Sequence, residues 1–484
     1  MADAGFRRGT GSGVVNYITG LLTARKRESV QPASLFDALA ALDGGLQGQG
    51  SGRLTAAKAQ LFALLRNHLD VTESKALTTK LLNLRLARRH FRAKDTVVRS
   101  RPLSVVLDPS NSCNLACPGC VHSAHAKESK WFDWKPGLLS ATRFGALLDR
   151  YGPPALYLTL FNYGEPMVNP ETPKFIRYAK GHLLRTILST NLSLPRFDAE
   201  PYVESGLDYM VLSIDGATQP VYERFRRKGN LELVFRNIRK LVEAKRQSGK
   251  STPIITWRYL MFEHNLHEVP AARETARELG VDQFKAEPAW DVSWDDPDIH
   301  AVQAEPVNVE FGLDDVYTAM ARNWNPFPES LNVAAIDQEF DAEIEPGVPD
   351  SGGSQTGSTC EWLYKNITMD AGGRIFPCCC SPRKDADLLF AEFPAAPRDG
   401  SDNGAGTDAQ ADTNNDVFNS AMHQKARQFL ADPQAYRAEG RQPYCVNCEF
   451  DHRSFPDPTQ VLNYFAMAAP GAFDEPSLNL LSTW

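Results

Sequence analysis

No apolar run in this sequence of 484 residues approaches the roughly 20 residues a membrane-spanning helix needs, so no membrane partner is expected. The first residues, Met1 to Arg8, lack the apolar segment of a secretory signal, which makes the cytoplasm the expected location. A surplus of positive charge is also missing. Lys and Arg number 52 against 59 Asp and Glu, a net charge of −7, so no nucleic-acid partner is expected. Cysteine is scarce as well: nine in a chain of this length cannot build a disulfide framework. They fall at short spacings, the pattern of metal ligation in a reducing compartment. No internal repeat is present. What remains is a chain of ordinary apolar content, 42%, long enough for two or three domains.

Residues 1–100 read as a helical extension. Ser34 to Leu46 and Thr55 to Leu69 repeat apolar residues at helical spacing, and Leu81 to Arg92 is a basic amphipathic segment that reads as a solvated helix packed on its own domain. Over residues 101–290 the texture becomes alternating. Apolar strand-like runs at Leu103–Leu107, Ala155–Phe161, Arg185–Ser189, Tyr209–Ile214, Ile254–Phe262 and Val281–Lys285 are separated by helical segments. Those segments include Ala141–Tyr151, Thr172–Lys180, Gln219–Arg227, Leu231–Arg246 and Val269–Leu279. Six β-then-α units predict an α/β fold with a parallel sheet and helical crossovers. Residues 291–358 read as an irregular connector ending in a linker, Pro346 to Ser358, and a polar insertion runs from Pro394 to Asn415. Residues 359–455 read as a second small domain and 456–484 as a tail.

The chemistry concentrates behind the first strand run. Cys113, Cys117 and Cys120 form a C-x3-C-x2-C loop, and three thiolates on one loop suit a soft metal or an iron–sulfur cluster. Three ligands are one short of a cubane's need, so one iron would stay open to an exogenous ligand. A structural zinc site, by contrast, is closed by four.

This spacing resembles the signature of the radical SAM enzymes. The resemblance implies a partial (β/α)6 barrel whose three cysteines hold a [4Fe-4S] cluster, with S-adenosylmethionine (SAM) on the fourth iron. One electron would then cleave the sulfonium and leave a 5′-deoxyadenosyl radical that abstracts a substrate hydrogen. The sequence departs from the family at Gly119, where many members carry an aromatic or large apolar residue beside SAM. The resemblance implies further cofactor contacts at the strand ends. Gly164-Glu165-Pro166 would orient the amino group of SAM. Ser189 and Asn191 would meet the ribose hydroxyls, the alternative being a helix N-cap. Ser213 of Ser213-Ile214-Asp215-Gly216 would contact SAM, with Asp215 structural. Arg226, or failing it Arg227, would take the SAM carboxylate as a bidentate donor.

The later cysteines form a second set. Cys360, Cys378, Cys445 and Cys448 supply four thiolates, and Asp370 to Gly373 is a turn that would set Cys360 and Cys378 across a hairpin. The set resembles a SPASM domain in its shortened, one-cluster form, implying an auxiliary [4Fe-4S] cluster in a small α+β domain. Cys379 or Cys380 is an alternative to Cys378, and a zinc ribbon is the alternative to the cluster. The resulting expectation is a radical SAM oxidoreductase-type enzyme that oxidises or rearranges a small carbohydrate-like or natural-product substrate. Its electron donor would be a flavodoxin or ferredoxin. A peptide maturase and a non-catalytic iron–sulfur or zinc protein are the rivals. His122, His125, Trp131, Asp133 and Trp134 lie just past the loop as candidate cavity residues, and no catalytic acid or base can be named.

Overall fold

In the computed structural model the described residues are 71–129, 135–290, 292–293, 295–311, 360–378, 389–394, 416–433, 436 and 445. The expected helices at Ser34–Leu46 and Thr55–Leu69, the linker and nearly all of the polar insertion fall outside them, as do Cys379, Cys380 and Cys448. The chain divides into two compact units. One comprises Met1–Leu82, Asn323–Ser354 and Asp457–Trp484, and its described part is the first half of helix α1, Val71–Ala93. The other, Asn83–Arg322 and Gln355–Pro456, contains the sheet and everything that follows.

The sheet begins with six strands: β1 Ser104–Leu107, β2 Tyr157–Thr159, β3 Arg185–Thr190, β4 Tyr209–Ser213, β5 Ile254–Met261 and β6 Gln283–Pro288. They lie side by side in sequence order and are all parallel. Strand β7, Val307–Glu310, closes one side antiparallel to β6. On the other side of β1 lie three C-terminal strands, β8 Asn366–Met369, β9 Arg374–Phe376 and β10 Ala391–Glu392, with β8 parallel to β1. The sheet is open, a partial barrel of the expected α/β class. Its C-terminal hairpin continues the main sheet, an adjacency that no local pattern announces.

The crossover helices form where the sequence gives start and stop signals. Helix α3, Ala141–Tyr151, starts at Ser140, whose hydroxyl accepts from the Arg143 N–H. Helix α4 is Thr172–Lys180, with Pro173 in its first turn, and α5 is Glu200–Glu204. The expected Gln219–Arg227 helix stops earlier, as α6 Gln219–Phe225, which frees Arg226 from the helix. Helix α7, Leu231–Ser248, is capped by the Asn230 side chain and ends at Gly249, at φ 67°. Helix α8 is Val269–Leu279. The short helices α2 Ala124–Ser129 and α9 Trp362–Lys365, and α10 Ala421–Ala431, complete the unit.

The helices bury one phase of each strand. Leu158, Leu188, Met210, Leu212, Trp257 and Phe284 belong to one apolar core with the helix faces, where Phe144 of α3 stacks on Phe175 of α4 at 4.4 Å. A second, smaller cluster joins Leu115, Cys117, Phe225, Leu260, Phe262 and Val292, with Cys113 and Cys120 packed against it. The cysteine loop is thus seated on apolar side chains at the C-terminal ends of the strands. Parallel barrels gather their chemistry at that end.

Candidate functional site

Four backbone devices shape the loop after β1. Asp108, directly behind the strand, is 1% exposed, and its Oδ1 accepts the N–H groups of Asn162, Tyr163 and Gly164 at 2.9, 3.0 and 3.0 Å. Burial pushes its carboxyl up to about 7, against those three donors. Gly164 is required here. A Cβ at this position would stand 1.6 Å from the Ser110 carbonyl oxygen, so only glycine lets the two loops touch. The Glu165 N–H then donates to the Ser112 carbonyl at 2.9 Å, and Asn111 accepts the Ala371 N–H at 2.8 Å, tying the loop to the β8–β9 turn.

Glu165 is buried, and its carboxylate is engaged by its own chain. It accepts from Met167 N–H at 3.1 Å, Thr190 Oγ1 at 2.7 Å and Asn191 N–H at 2.9 Å. Burial outweighs these donors and pushes its pKa up to about 7. The residue therefore locks the end of β3 to the loop after β2. Asn191 does not cap a helix. Its Nδ2 lies 3.0 Å from Asn114 Oδ1 and 3.8 Å from Cys113 Sγ, while its Oδ1 accepts the Ser193 N–H. Ser189 and Ser213, half-buried on adjacent strands, pair hydroxyl to hydroxyl at 3.1 Å. Pro166 opens a 3-10 turn, Pro166–Val168.

Arg226 rather than Arg227 reaches the cysteines. Its Nη1 lies 3.9 Å from Cys117 Sγ, and its Nε donates to Asp215 Oδ2 at 2.5 Å. Asp215 is fully buried and also accepts the Leu260 N–H, so it serves as the anchor of the guanidinium. Burial works against the charge of Arg226, but Asp215, Cys117 and Tyr222 together outweigh it and raise the pKa above the ordinary arginine value. Arg227 is drawn away by an ion pair with Asp296. The thiols are shifted by burial too: Cys113 and Cys117 upward, Cys120 up to about 12.

The donor set fits an iron–sulfur cluster. Leu115 N–H, Asn191 Nδ2 and Arg226 Nη1 all point at cysteine sulfurs, which suits thiolates that give up their protons on metal binding. Among the described residues no three His, Cys, Asp or Glu side chains converge on a single-ion geometry. A cubane does not ask for that, because each cysteine binds a different iron. His122, next to the loop, is buried, and desolvation depresses its pKa to about 4, so it is neutral at pH 7. Trp131, Asp133 and Trp134 lie outside the described residues.

The segment after β6 was not foreseen as part of the site. Asp295 Oδ2 accepts the Gly119 N–H at 2.5 Å, and its Oδ1 accepts from Ser123 Oγ at 3.1 Å. Asp296 holds Arg227, whose carbonyl accepts the Ala116 N–H at 3.1 Å. Further along, the His300 carbonyl accepts the Glu263 N–H at 3.1 Å. The segment is a strap across the cysteine loop. At Gly119, φ is +75°, and a Cβ would meet Val292 Cγ1 at 2.6 Å, with Trp290 Nε1 at 3.8 Å. The bulk that Gly119 lacks is thus supplied by the strap.

In the second cysteine set, β8 and β9 form the expected hairpin, with Thr368 opposite Phe376 and Gly373 at φ 93° in the turn. Cys360 precedes the helical turn α9 instead of lying on β8, and Cys378 lies two residues past β9. Cys360, Cys378 and Cys445 are all partly buried thiols, and Cys360 and Cys445 pack against the main core.

Comparison with known proteins agrees with the placement of the loop. Residues 107–274 match the family model of the Radical SAM superfamily. An "AdoMet-dependent heme synthase" of Oleidesulfovibrio alaskensis is 32% identical over 29% of this chain and 35% of its own length. A "Mycofactocin maturase MftC" of Mycobacterium tuberculosis is 26% identical over 32% of this chain and 39% of its own length. The chain therefore spans little more than a third of the curated relatives it matches first. Streptococcus suis SuiB bound to S-adenosylmethionine overlays at a TM-score of 0.38 with 15% identity, covering 60% of this chain and 64% of that one.

Proposed function

We propose that this protein is a radical SAM enzyme that cleaves S-adenosylmethionine reductively and abstracts a hydrogen from its substrate. The observation that carries the reading is the convergence of Arg226, Asn191 and the Leu115 N–H on the thiols of a loop seated at the strand ends. A [4Fe-4S] cluster on Cys113, Cys117 and Cys120 would supply the electron that breaks the sulfonium bond. The chain itself does the rest. Arg226, held by Asp215, is a fixed fork for the SAM carboxylate. Ser189, Ser213 and Asn191 offer hydroxyl and amide groups to the ribose. The Gly164-Glu165-Pro166 backbone borders the place of the amino group, and Glu165 fixes that backbone.

An auxiliary [4Fe-4S] cluster on Cys360, Cys378, Cys445 and Cys448 belongs to the same proposal. Closed by four thiolates, it would pass electrons and leave no iron for substrate. The net reaction is then an oxidation or rearrangement of a small carbohydrate-like or natural-product molecule, with a flavodoxin or ferredoxin as donor. The likeness to a mycofactocin maturase favours a second reading, a peptide substrate.

Anaerobic reconstitution and reduction test both parts. The native chain is expected to turn SAM into 5′-deoxyadenosine, and its failure to do so would remove the enzyme. About eight irons per chain are expected for two cubanes, and about four would remove the auxiliary one.

A further inference from the structure

Among the described residues Trp290 is the one Phe, Tyr or Trp left exposed, at 56%. Single exposed apolar residues are ordinary on protein surfaces. The location of this one is not. It lies on the strap, two residues past the end of β6, and its backbone is held on both sides. Ala289, directly before it, is buried and donates its N–H to the Met261 carbonyl at 3.0 Å, tying the strap to the end of β5. Val292, two residues on, is fully buried and belongs with Leu115 and Cys117 to the apolar cluster that seats the cysteine loop.

The indole itself lies against that loop. Its Nε1 is 3.8 Å from the point where a Cβ of Gly119 would stand, and is the ring atom nearest to it. Gly119 sits between Cys117 and Cys120, and its N–H is taken by Asp295. The strap thus fixes both the loop and the place of the indole beside it. Among the described residues no other ring stacks on Trp290, and no hydrogen bond engages its indole N–H.

The cofactor site proposed above has groups for three parts of SAM. Arg226 faces the carboxylate, the Gly164-Glu165-Pro166 backbone the amino group, and Ser189, Ser213 and Asn191 the ribose. The adenine has no partner in that set. It is a flat, uncharged ring, and an aromatic face beside the loop is the surface that suits it. Leu138, the other exposed apolar side chain near the loop, lies opposite Ser110 and has no ring to stack.

We propose that Trp290 is the stacking platform for the adenine of SAM. This rests on the radical SAM reading and adds to it a residue that positions the cofactor from outside the cysteine loop. Base stacking on an indole asks for a π face and little else, so the identity of the ring can vary but its aromaticity cannot.

The test measures SAM and S-adenosylhomocysteine by anaerobic equilibrium dialysis against the reconstituted full-length protein, with iron counted in every sample. Trp290→Ala is expected to weaken both ligands about tenfold, the scale of one base on an aromatic ring. Trp290→Leu keeps apolar bulk without a π face and is expected to fall as far. Trp290→Phe keeps a face and is expected to stay within about threefold of the native chain. Native affinity for SAM in Trp290→Ala or Trp290→Leu would overturn the proposal, as would Trp290→Phe falling as far as Trp290→Leu. A loss confined to SAM would overturn it too, because the ring would then face the sulfonium charge that S-adenosylhomocysteine lacks. Iron lost from both Trp290→Ala and Trp290→Leu would make the indole a packing residue of the loop and reject the stack. Formation of 5′-deoxyadenosine by the native chain is read separately. Its absence in a chain that binds SAM through Trp290 sinks the radical reading alone, and its presence beside variants of native affinity sinks the stack alone.

Discussion

At the scale of single residues, two contacts carry most of the site's geometry. Arg226 is pinned by the buried Asp215, so its fork has a set direction, and lysine can replace the charge but not the fork. Arg226→Lys is expected to weaken SAM binding by about tenfold, ~1.4 kcal/mol, in dialysis of the reconstituted protein. Unchanged affinity would reject the carboxylate role. Asp295 gives the cysteine loop two bonds, to Gly119 N–H and Ser123 Oγ. Asp295→Ala leaves the Gly119 amide without its acceptor, at a cost of about 1–3 kcal/mol. Faster loss of iron to a chelator is the expected result, and a release rate equal to that of the native chain would count against the strap. The cysteines were readable in the sequence because their type and spacing announce them, whereas Arg226 was singled out only by the family resemblance, with Arg227 as its alternative. Asp295 was not, because its partner Gly119 is 176 positions away and an aspartate in an acidic segment has no distinctive pattern.

At the scale of elements, the meeting of the loops after β1 and β2 decides the site. Gly164 touches the Ser110 carbonyl, Asp108 gathers three amides of the β2 loop, and Glu165 bridges to the end of β3. Gly164→Ala must force the loops apart, since backbone rather than a flexible side chain stands in the way. The expected outcome is a folded protein with reduced iron content after reconstitution, measured against its circular dichroism. Native iron content in that variant would show that the contact does not position the cysteines. The helix limits were legible where caps are local, as at Ser140 and Asn230. The early end of α6 was not, because Arg226 turns out of the helix to meet Asp215, a tertiary contact that overrides a continuous helical pattern.

At the scale of the sheet-bearing unit, the C-terminal elements are built into the core. Arg427, fully buried, donates to the carbonyls of Leu363 and Phe418 and to Asn419 Oδ1, and Asp416 binds Arg101 and the Tyr151 hydroxyl. Next to Arg427, His423 is also fully buried, with Nδ1 3.0 Å from Ser420 Oγ and its ring edge-on to Phe390. Burial first, and then the charge of Arg427, hold the His423 pKa well below the usual imidazole value. Folding therefore releases a proton over the range from that depressed value up to about 6.5, and the unfolded chain binds more protons there. His423 contributes stability that is complete above about pH 6.5 and falls as pH drops, by at most about 1.4 kcal/mol per pH unit. Urea melts at about pH 7.5 and about pH 5.5 are expected to show the loss, and to show less of it in His423→Asn. An equal loss in the variant would assign it to another group.

The sequence by itself determined the order of strands and helices and the loop that carries the three cysteines. These depend on local spacing, which survives in one dimension. Cys113, Cys117 and Cys120 share a loop whatever surrounds them, and the β-then-α pattern leaves a parallel sheet as the natural way to bury its strands. The tertiary structure alone decided that Arg226 and not Arg227 faces the sulfurs, that the segment after β6 straps the loop, and that β8 lies beside β1. Each of these joins residues far apart in the chain, and each follows from packing and register, which local pattern does not encode. The three cysteines were legible from the start. Their immediate surroundings, with Arg226, Asn191 and Asp295 aimed at one loop, exist only once the strand ends are brought together.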